Sequence, residues 1–397
     1  MSRPLSFEQQ SERPGYNPRM SAEPLKTLFH PFEVEALPMP SKDARILFLG
    51  AEPGFRLPEG FDAALHLVQG FRPHFRSLER AGHVVTPRLE GHGFDAALVL
   101  VGRHRGENEI RIADAIERVV SGGLIVVAGG KEDGIDSLRK RMANNEDKLA
   151  AAIGRRGPGG LVLERPGQPP EIFNERRYHP QKVHVPLGGH LSKNHGVVFW
   201  LGGTPQADAF AKSIKDWQDG WPLIDGRFRT APGMFSFDRI DAGSKLLVDN
   251  LPNDLRGNVA DFCAGWGYVA AEVAARSPGI SGLDLYEADF ASLEAAKGND
   301  GKGTVEPRFF WIDLLTEAVE RRYDAIVMNP PFHRSRATEP EIGAGMIRAA
   351  AKALKPGGRL FMVANRQLPY EPVLAAAFSS HAEIARDGMF KIFAARR

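Results

Sequence analysis

Tyr323-Asp324-Ala325-Ile326-Val327-Met328 runs straight into Asn329-Pro330-Pro331-Phe332. The apolar run reads as a buried strand, and the two prolines end it. The tetrapeptide after it can hold an amino group for chemistry. An exocyclic amine on a base is a weak nucleophile, because its lone pair is delocalised into the ring. The Asn329 side-chain oxygen and the Pro330 carbonyl can accept its hydrogens and favour the developing positive charge on nitrogen. The prolines stiffen the loop, and Phe332 offers a face on which a base can stack. Taken alone, the same four residues also suit a Pro-rich turn after a strand.

Upstream lies Val259-Ala260-Asp261-Phe262-Cys263-Ala264-Gly265-Trp266-Gly267, a short strand entering a glycine turn. An Ala-rich helix, Tyr268 to Arg276, should follow. Glycines let the backbone approach a ligand, and the helix start offers unpaired N–H groups. Gly265, Gly267 and Ala270 also satisfy a dinucleotide fingerprint with Ala at its third position, so spacing alone leaves a nicotinamide cofactor open. Twenty residues on, Gly282-Leu283-Asp284-Leu285-Tyr286-Glu287 ends a second strand. An acid there can accept both ribose hydroxyls of an adenosine. Glu287 is the preferred acid and Asp284 its competitor. Arg308-Phe309-Phe310-Trp311-Ile312 then ends in Asp313, placed to accept from an adenine amino group.

These pieces arrive in order on successive strand ends, and together they resemble class I S-adenosylmethionine-dependent methyltransferases. More narrowly, residues 225 to 397 resemble the small-domain ribosomal RNA guanine-N2 methyltransferases. The lead-in Pro232-Gly233-Met234-Phe235-Ser236 with Asp238, then Asp241 to Leu247, carries part of that likeness. So do the NPPFH string 329–333, Lys355-Pro356-Gly357-Gly358-Arg359-Leu360, Val363 to Arg366, Leu368 to Tyr370, and Phe390-Lys391-Ile392. Arg334-Ser335-Arg336 departs from the family's usual Asp-Gly after the histidine. The resemblance implies S-adenosylmethionine held by Asp261, Ala264, Gly265, Gly267, Glu287, Asp313 and Asn329. It implies catalysis at Asn329, Pro330, Pro331 and Phe332, with substrate contacts from Phe332 and His333.

The 397 residues leave room for two domains, and 43% hydrophobic with 25% charged residues indicate globular ones. The formal charge of +2 and pI near 8.6 permit nucleic-acid binding without requiring it. A single cysteine, Cys263, excludes an internal disulfide and points to a reducing, cytoplasmic setting. No apolar run has the length of a membrane span, and no signal-peptide core is expected. His179, His184, His190 and His195 match no helical pair spacing, so no metal site is expected.

The first half reads as a degraded copy of the second. Arg45 to Leu49 with Gly50 to Gly54 parallels the first strand and its turn. Phe94-Asp95-Ala96-Ala97-Leu98-Val99-Leu100 parallels Tyr323 to Asn329. Gly122-Gly123 with Leu124 to Val127 parallels Gly357-Gly358 with Arg359 to Met362. The expected fold is therefore α/β, with two tandem Rossmann-like methyltransferase domains of which the N-terminal one is degenerate. Leu100-Val101-Gly102-Arg103 replaces the NPPF string. Glycine turn to strand spans 41 positions in the first half, against 57 in the second, a deficit assigned to the region of the ribose acid. The copy should not bind cofactor.

The expected boundaries are a flexible tail at 1–23, a degenerate domain at 24–205, a linker at 206–230 and a catalytic domain at 231–397. Gly154 to Gly160 reads as a loop or helix end. The first domain's role is either structural or RNA-gripping, with Arg72, His74, Arg76, Arg103, His104, Arg105, Arg139, Lys140 and Arg141 as candidate phosphate contacts. The tryptophans of Asp216 to Pro222 read as interface rather than stacking platforms. The partner implied is ribosomal RNA or a ribosomal subunit, and a monomer is favoured. Protein glutamine methylation, DNA adenine methylation and a non-catalytic RNA-binding role stay open as alternatives.

Overall fold

Each half of the chain builds its own seven-stranded sheet. The computed structural model describes residues 18–143, 154–157, 160–163, 171–173, 183–193, 195–299, 303, 305–331 and 339–397. In the first half the strands are β1 (Arg45–Leu49), β2 (Ala64–Val68), β3 (Val85–Thr86), β4 (Phe94–Leu100) and β5 (Val119–Gly130). Three short strands follow, β6 (Gly154–Gly157), β7 (Gly160–Leu163) and β8 (Glu171–Phe173), and then β9 (Leu187–Lys193) and β10 (Gly196–Gly202). The main sheet runs β3-β2-β1-β4-β5-β10-β9, and β6 to β8 form a separate antiparallel sheet. Gly154–Gly157 is thus a strand, where a loop or helix end was expected.

The second half contributes β11 (Arg256–Phe262), β12 (Gly279–Glu287), β13 (Pro307–Trp311), β14 (Tyr323–Met328), β15 (Leu354–Asn365), β16 (Ser380–Arg386) and β17 (Phe390–Arg396). Their order is β13-β12-β11-β14-β15-β17-β16, the same pattern as in the first half. In both sheets the first five strands are parallel and the last two antiparallel. Helices cover both faces of such a sheet, so its central strands are continuous apolar runs. Ile326, Val327 and Met328 of β14 are fully buried, as are Leu47 and Phe48 of β1.

Two expected boundaries move. A helix already begins at Pro18 and runs to Glu33, through Pro24 and Pro31. Leu25, Leu28, Phe29 and Phe32 make its buried stripe, at helical spacing. The helix Pro205–Asp219 belongs to the first domain rather than to a linker. Thr204 caps it by accepting from the Ala207 N–H. Its Ala207, Phe210, Ala211 and Ile214 pack into one core with Ile112, Ala113, Ala115 and Ile116 of the helix Arg105–Arg118. The helix ends at Asp219, and Ile224 and Phe228 already pack in the second core.

Most of the first half's shorter interval lies after β2: aligned on the strand pairs, 11 of the 16 missing positions fall between β2 and β4 and 5 before β2. β2 is present and ends one residue short of the level at which β12 ends. Leu49 pairs with Val68 as Phe262 pairs with Tyr286, which makes Gln69 the counterpart of Glu287. The first half also lacks a helix after the glycine turn. Residues 50–63 are irregular, where the second half has the helix Tyr268–Arg276. Phe55 and Phe61 of this irregular stretch pack on Phe29, with ring centroids 6.0 and 5.7 Å away.

Candidate active site

Asn329 leaves β14 with its side chain pinned. Its Nδ2 donates to Ser244 Oγ at 2.7 Å and to Asp241 Oδ2 at 3.1 Å. An ionised carboxylate only accepts, so the amide nitrogen must face Asp241 and the carbonyl oxygen must face away. That oxygen, Oδ1, is buried and has no partner among the described residues. Leaving a buried acceptor unmade costs about 1–3 kcal/mol, which marks it as a group awaiting a donor. Pro330 is buried and Pro331 half-buried beside it. Phe332 and His333, expected to touch substrate, lie outside the described residues.

The glycine turn after β11 sits next along the sheet edge. Gly267 has φ of 91°, and a Cβ there would meet Ala296 at 3.1 Å. Only glycine lets the helix Tyr268–Arg276 start this close to the helix Phe290–Gly298. Ala264 is buried and donates to the Tyr286 carbonyl at 3.1 Å. Trp266 Nε1 donates to the Phe235 carbonyl at 2.8 Å, tying the lead-in segment to the turn.

Two carboxyls face this turn. Asp261 is buried at 1% exposure, and its Oδ2 has no partner among the described residues. Burial pushes its carboxyl well above the usual carboxylate range, with the nearby Glu287 adding to the rise against an Ala270 N–H. A cationic ligand beside Asp261 would relieve that penalty. Glu287 is also raised by burial. Its Oε2 accepts from the Gly265 N–H at 2.8 Å, and its Oε1 from Ala288 and Asp289 at 2.8 and 2.9 Å. The rival Asp284 is fully buried inside the sheet, bonded to Arg308 Nε at 2.6 Å and the Tyr323 hydroxyl at 2.6 Å. It is a structural acid, and Glu287 is the one at the strand end.

Asp313 caps its own loop, accepting from the Leu315 N–H at 3.0 Å and the Thr316 hydroxyl at 2.5 Å. Each of its oxygens keeps a further lone pair. Its backbone N–H donates to Glu317 Oε1 at 2.9 Å.

The first domain reaches these two loops directly. Arg72 donates to Glu317 from Nε at 2.9 Å and from Nη2 at 2.8 Å. Arg76 lies 3.5 Å from the same carboxylate. The Arg72 N–H donates to the Ala288 carbonyl, the residue after Glu287, at 2.8 Å. Phe71 and Asp289 form an antiparallel bridge. Trp311 Nε1 donates to the carbonyls of Gly70 and Ala288 at 3.1 and 2.9 Å, and its ring packs on Phe75.

Arg72 and Arg76, two of the candidate phosphate contacts, are thus engaged in interdomain ion pairs. Arg139 and Arg141 are also engaged inside the first domain, by Asp136 and Glu109. Arg103 remains exposed, 3.7 Å from Asp133, and the partly exposed Arg105 bonds Glu109 at 3.1 Å. Sequence reasoning missed Asp241 and Ser244 as the orienting pair of Asn329. Their signal was present: Asp241 is also the N-cap of the helix Ala242–Asp249, bonding the Ser244 N–H at 2.7 Å.

Residues 225–394 match the family described as "Methyltransferase small domain". The match lies wholly within the C-terminal half. Among curated relatives, the "Ribosomal RNA small subunit methyltransferase C" of Serratia proteamaculans is 34% identical over 183 residues, 46% of this chain and 52% of that protein. The protein of the same name from Pectobacterium atrosepticum is also 34% identical, with the same shares covered. The chain thus spans about half the length of the curated relatives it matches. Over nearly its whole length it shares a fold with a T. Thermophilus 16S rRNA N2 methyltransferase solved in complex with AdoMet and guanosine. That likeness has a TM-score of 0.63 at 22% identity, covering 94% of this chain and 91% of the other. The two-domain α/β architecture is shared along with the small domain. Among the described residues, no helix is long and apolar enough to cross a membrane, and no group of three or more metal-ligating side chains occurs.

Proposed function

We propose that this chain methylates the exocyclic N2 amine of a guanine in ribosomal RNA, using S-adenosylmethionine. The observation that carries the reading is the buried, unpartnered Asn329 Oδ1, held in one orientation by Asp241 and Ser244. The relatives' names supply the substrate class, and the small-domain family supplies the reaction type.

The residues fit the cofactor. Glu287 at the end of β12 is placed to accept from ribose hydroxyls, and Asp313 at the end of β13 from an adenine amine. Asp261, a buried carboxyl short of one partner, suits a positively charged ligand. When bound, S-adenosylmethionine supplies an electrophilic methyl group on a sulfonium.

This chain's part is positioning. The target base leaves its stack to reach the loop. Asn329 Oδ1 and the Pro330 carbonyl accept the two amine hydrogens, aim the nitrogen lone pair outward and stabilise the charge that grows on it. No strong general base is needed, because an ammonium-like product loses its proton readily to water. Such a substrate places the protein in the cytoplasm, with the ribosomes.

Tritium-labelled donor incubated with purified protein and with rRNA, ribosomal subunits, DNA or protein extract tests the assignment. Label in RNA, recovered as N2-methylguanine, is the expected result. Label only in protein or only in DNA overturns it. Comparing rRNA from cells with and without the protein then names the nucleotide.

A further inference from the structure

A cavity of about 140 Å³ opens at the seam between the two halves. Its walls come from the start of the helix Arg105–Arg118, from Trp217 near the end of the helix Pro205–Asp219 and Trp221 just beyond it, and from the lead-in segment at Phe237 and Asp238. No residue of the Asn329 loop or the glycine turn lines it. We propose that this cavity takes a second, unstacked nucleobase of the RNA strand, one near the target guanine. The proposal rests on the RNA reading above and adds to it a subsite that the methyl-transfer chemistry does not require.

The walls have the right faces. Trp217 and Trp221 meet edge-on with ring centroids 5.3 Å apart, and Phe237 lies 5.5 Å from Trp221 at 33°. Aromatic walls of this kind hold bases by stacking, whatever the base. The polar groups have the right kind. Trp217 Nε1 is buried and has no acceptor among the described residues. An indole N–H donates only, so it calls for an acceptor such as a ring nitrogen or carbonyl on a base. The carboxylates of Glu109 and Asp238 also line the space and take the donors of such an edge. Glu109 is buried and held by Arg105 and Arg141 at 3.1 and 3.0 Å.

The seam beside the cavity is tight. A Cβ on Gly106 would sit 2.7 Å from Pro232 and 3.1 Å from Trp217, so the halves touch around this space. The position also suits a strand that enters the active site. Asp238 precedes Asp241, the residue that orients Asn329, by three residues, a span of at most about 11 Å of chain. One or two nucleotides bridge such a distance. Exposed cations flank the route: Arg239 at 79% and Arg103 at 64% side-chain exposure, each in a long ion pair of 3.8 or 3.7 Å. Exposed pairs of that length hold their partners weakly and yield readily to phosphate.

Two variants of the full-length protein test this, with naked small-subunit rRNA as the probe. Trp221→Ala removes a wall. Trp217→Phe keeps a ring and removes only the N–H. Loss of one stacked base is expected to raise the KM for rRNA roughly 10- to 100-fold in Trp221→Ala. Trp217→Phe should raise it about 3- to 10-fold. In both, kcat at saturating RNA and S-adenosylmethionine affinity should stay within about twofold of wild type. A structural role alone would instead lower Tm and move cofactor affinity as well. Folded variants with wild-type KM mean a water-filled cavity and overturn the proposal. So does a KM rise matched by an equal loss of cofactor affinity. If Trp221→Ala does not fold, Trp217→Phe decides alone. Wild-type protein that methylates no RNA overturns the functional reading and this proposal together, so the two failures are distinguishable.

Discussion

The two halves agree in the middle of their sheets and part at the carboxyl ends of their strands. Asp95 on β4 accepts from the Arg45 N–H at 2.8 Å, and Asp324 on β14 accepts from the Asn258 N–H at the same distance. Gly122 and Gly357, near the starts of β5 and β15, share a φ of 76°. These are devices that hold a sheet, and both copies keep them. At the strand ends the chemistry differs. Glu287 is matched by Gln69, whose amide is spent on the Ala51 carbonyl and the Phe71 N–H. The loop after β4 is closed by Asn108, which satisfies both the N–H and the carbonyl of Gly102. Among the described residues, buried carboxyl or amide oxygens without a partner occur only in the second half, at Asp261 and Asn329. A duplicated fold keeps its core and loses its site where polar groups are either satisfied internally or left waiting.

The largest break in this comparison is expected at Asn329. Asn329→Ala removes the waiting acceptor and leaves the glycine turn intact. Turnover should fall roughly 100- to 1000-fold with cofactor affinity nearly unchanged. Single-turnover kinetics beside a titration separates the two quantities. Near-normal turnover would make the NPPF loop structural and equate it with its counterpart after β4.

Glu287→Ala should do the reverse, weakening S-adenosylmethionine binding by about 100-fold, since it removes a charged acceptor. Wild-type protein should bind one molecule per chain by calorimetry. Two sites per chain, or a site that survives Glu287→Ala unchanged, would erase the functional difference between the halves.

A third difference is electrostatic. The first-half turn carries Glu52, whose carboxyl burial pushes up to about 7, against the pull of Arg111. Folded Glu52 keeps its proton to about pH 7, whereas the unfolded chain releases it near 4.5. The resulting stability is complete below 4.5 and lost as pH rises through 7, at most about 3 kcal/mol. Glu52→Gln should flatten that loss, giving a higher Tm than wild type at pH 8 and little difference at pH 4.5. Parallel Tm profiles for the two proteins would remove Glu52 as the cause.

Much of this was legible. The apolar run before Asn329, the helix Tyr268–Arg276 and the order of acids along the strand ends are local patterns, and local patterns survive in sequence. The helix from Pro18 was obscured by Pro24 and Pro31, although Leu25, Leu28, Phe29 and Phe32 already marked its face. The helix Pro205–Asp219 reads as a connection until its stripe finds the helix Arg105–Arg118, about a hundred residues earlier. Asp284 and Glu287 differ in their place along β12: Asp284 lies within the strand, bonded to Arg308 and Tyr323 far along the chain, and Glu287 ends it. Arg72 read as a surface cation because its partner, Glu317, is 245 residues away.

That ion pair gives the smallest of the four tests and the one that decides what the first half is for. Arg72 holds Glu317, Glu317 holds the Asp313 N–H, and the Arg72 backbone holds Ala288 beside Glu287. If the degenerate domain organises the cofactor loops, Arg72→Ala should weaken S-adenosylmethionine about tenfold. A bidentate, partly shielded pair is lost and Glu317 is freed to swing away from Asp313. Glu317→Gln should weaken binding similarly, and the double variant should cost little more than either single, because both act through one contact. Arg72→Lys keeps the charge but not the fork, so it should recover only part of the affinity. A merely structural seam predicts lower Tm with wild-type cofactor affinity in all four proteins. That outcome would reduce the first domain to a folding partner. A coupled, non-additive loss of affinity would make it part of the cofactor site that its own strand ends no longer provide.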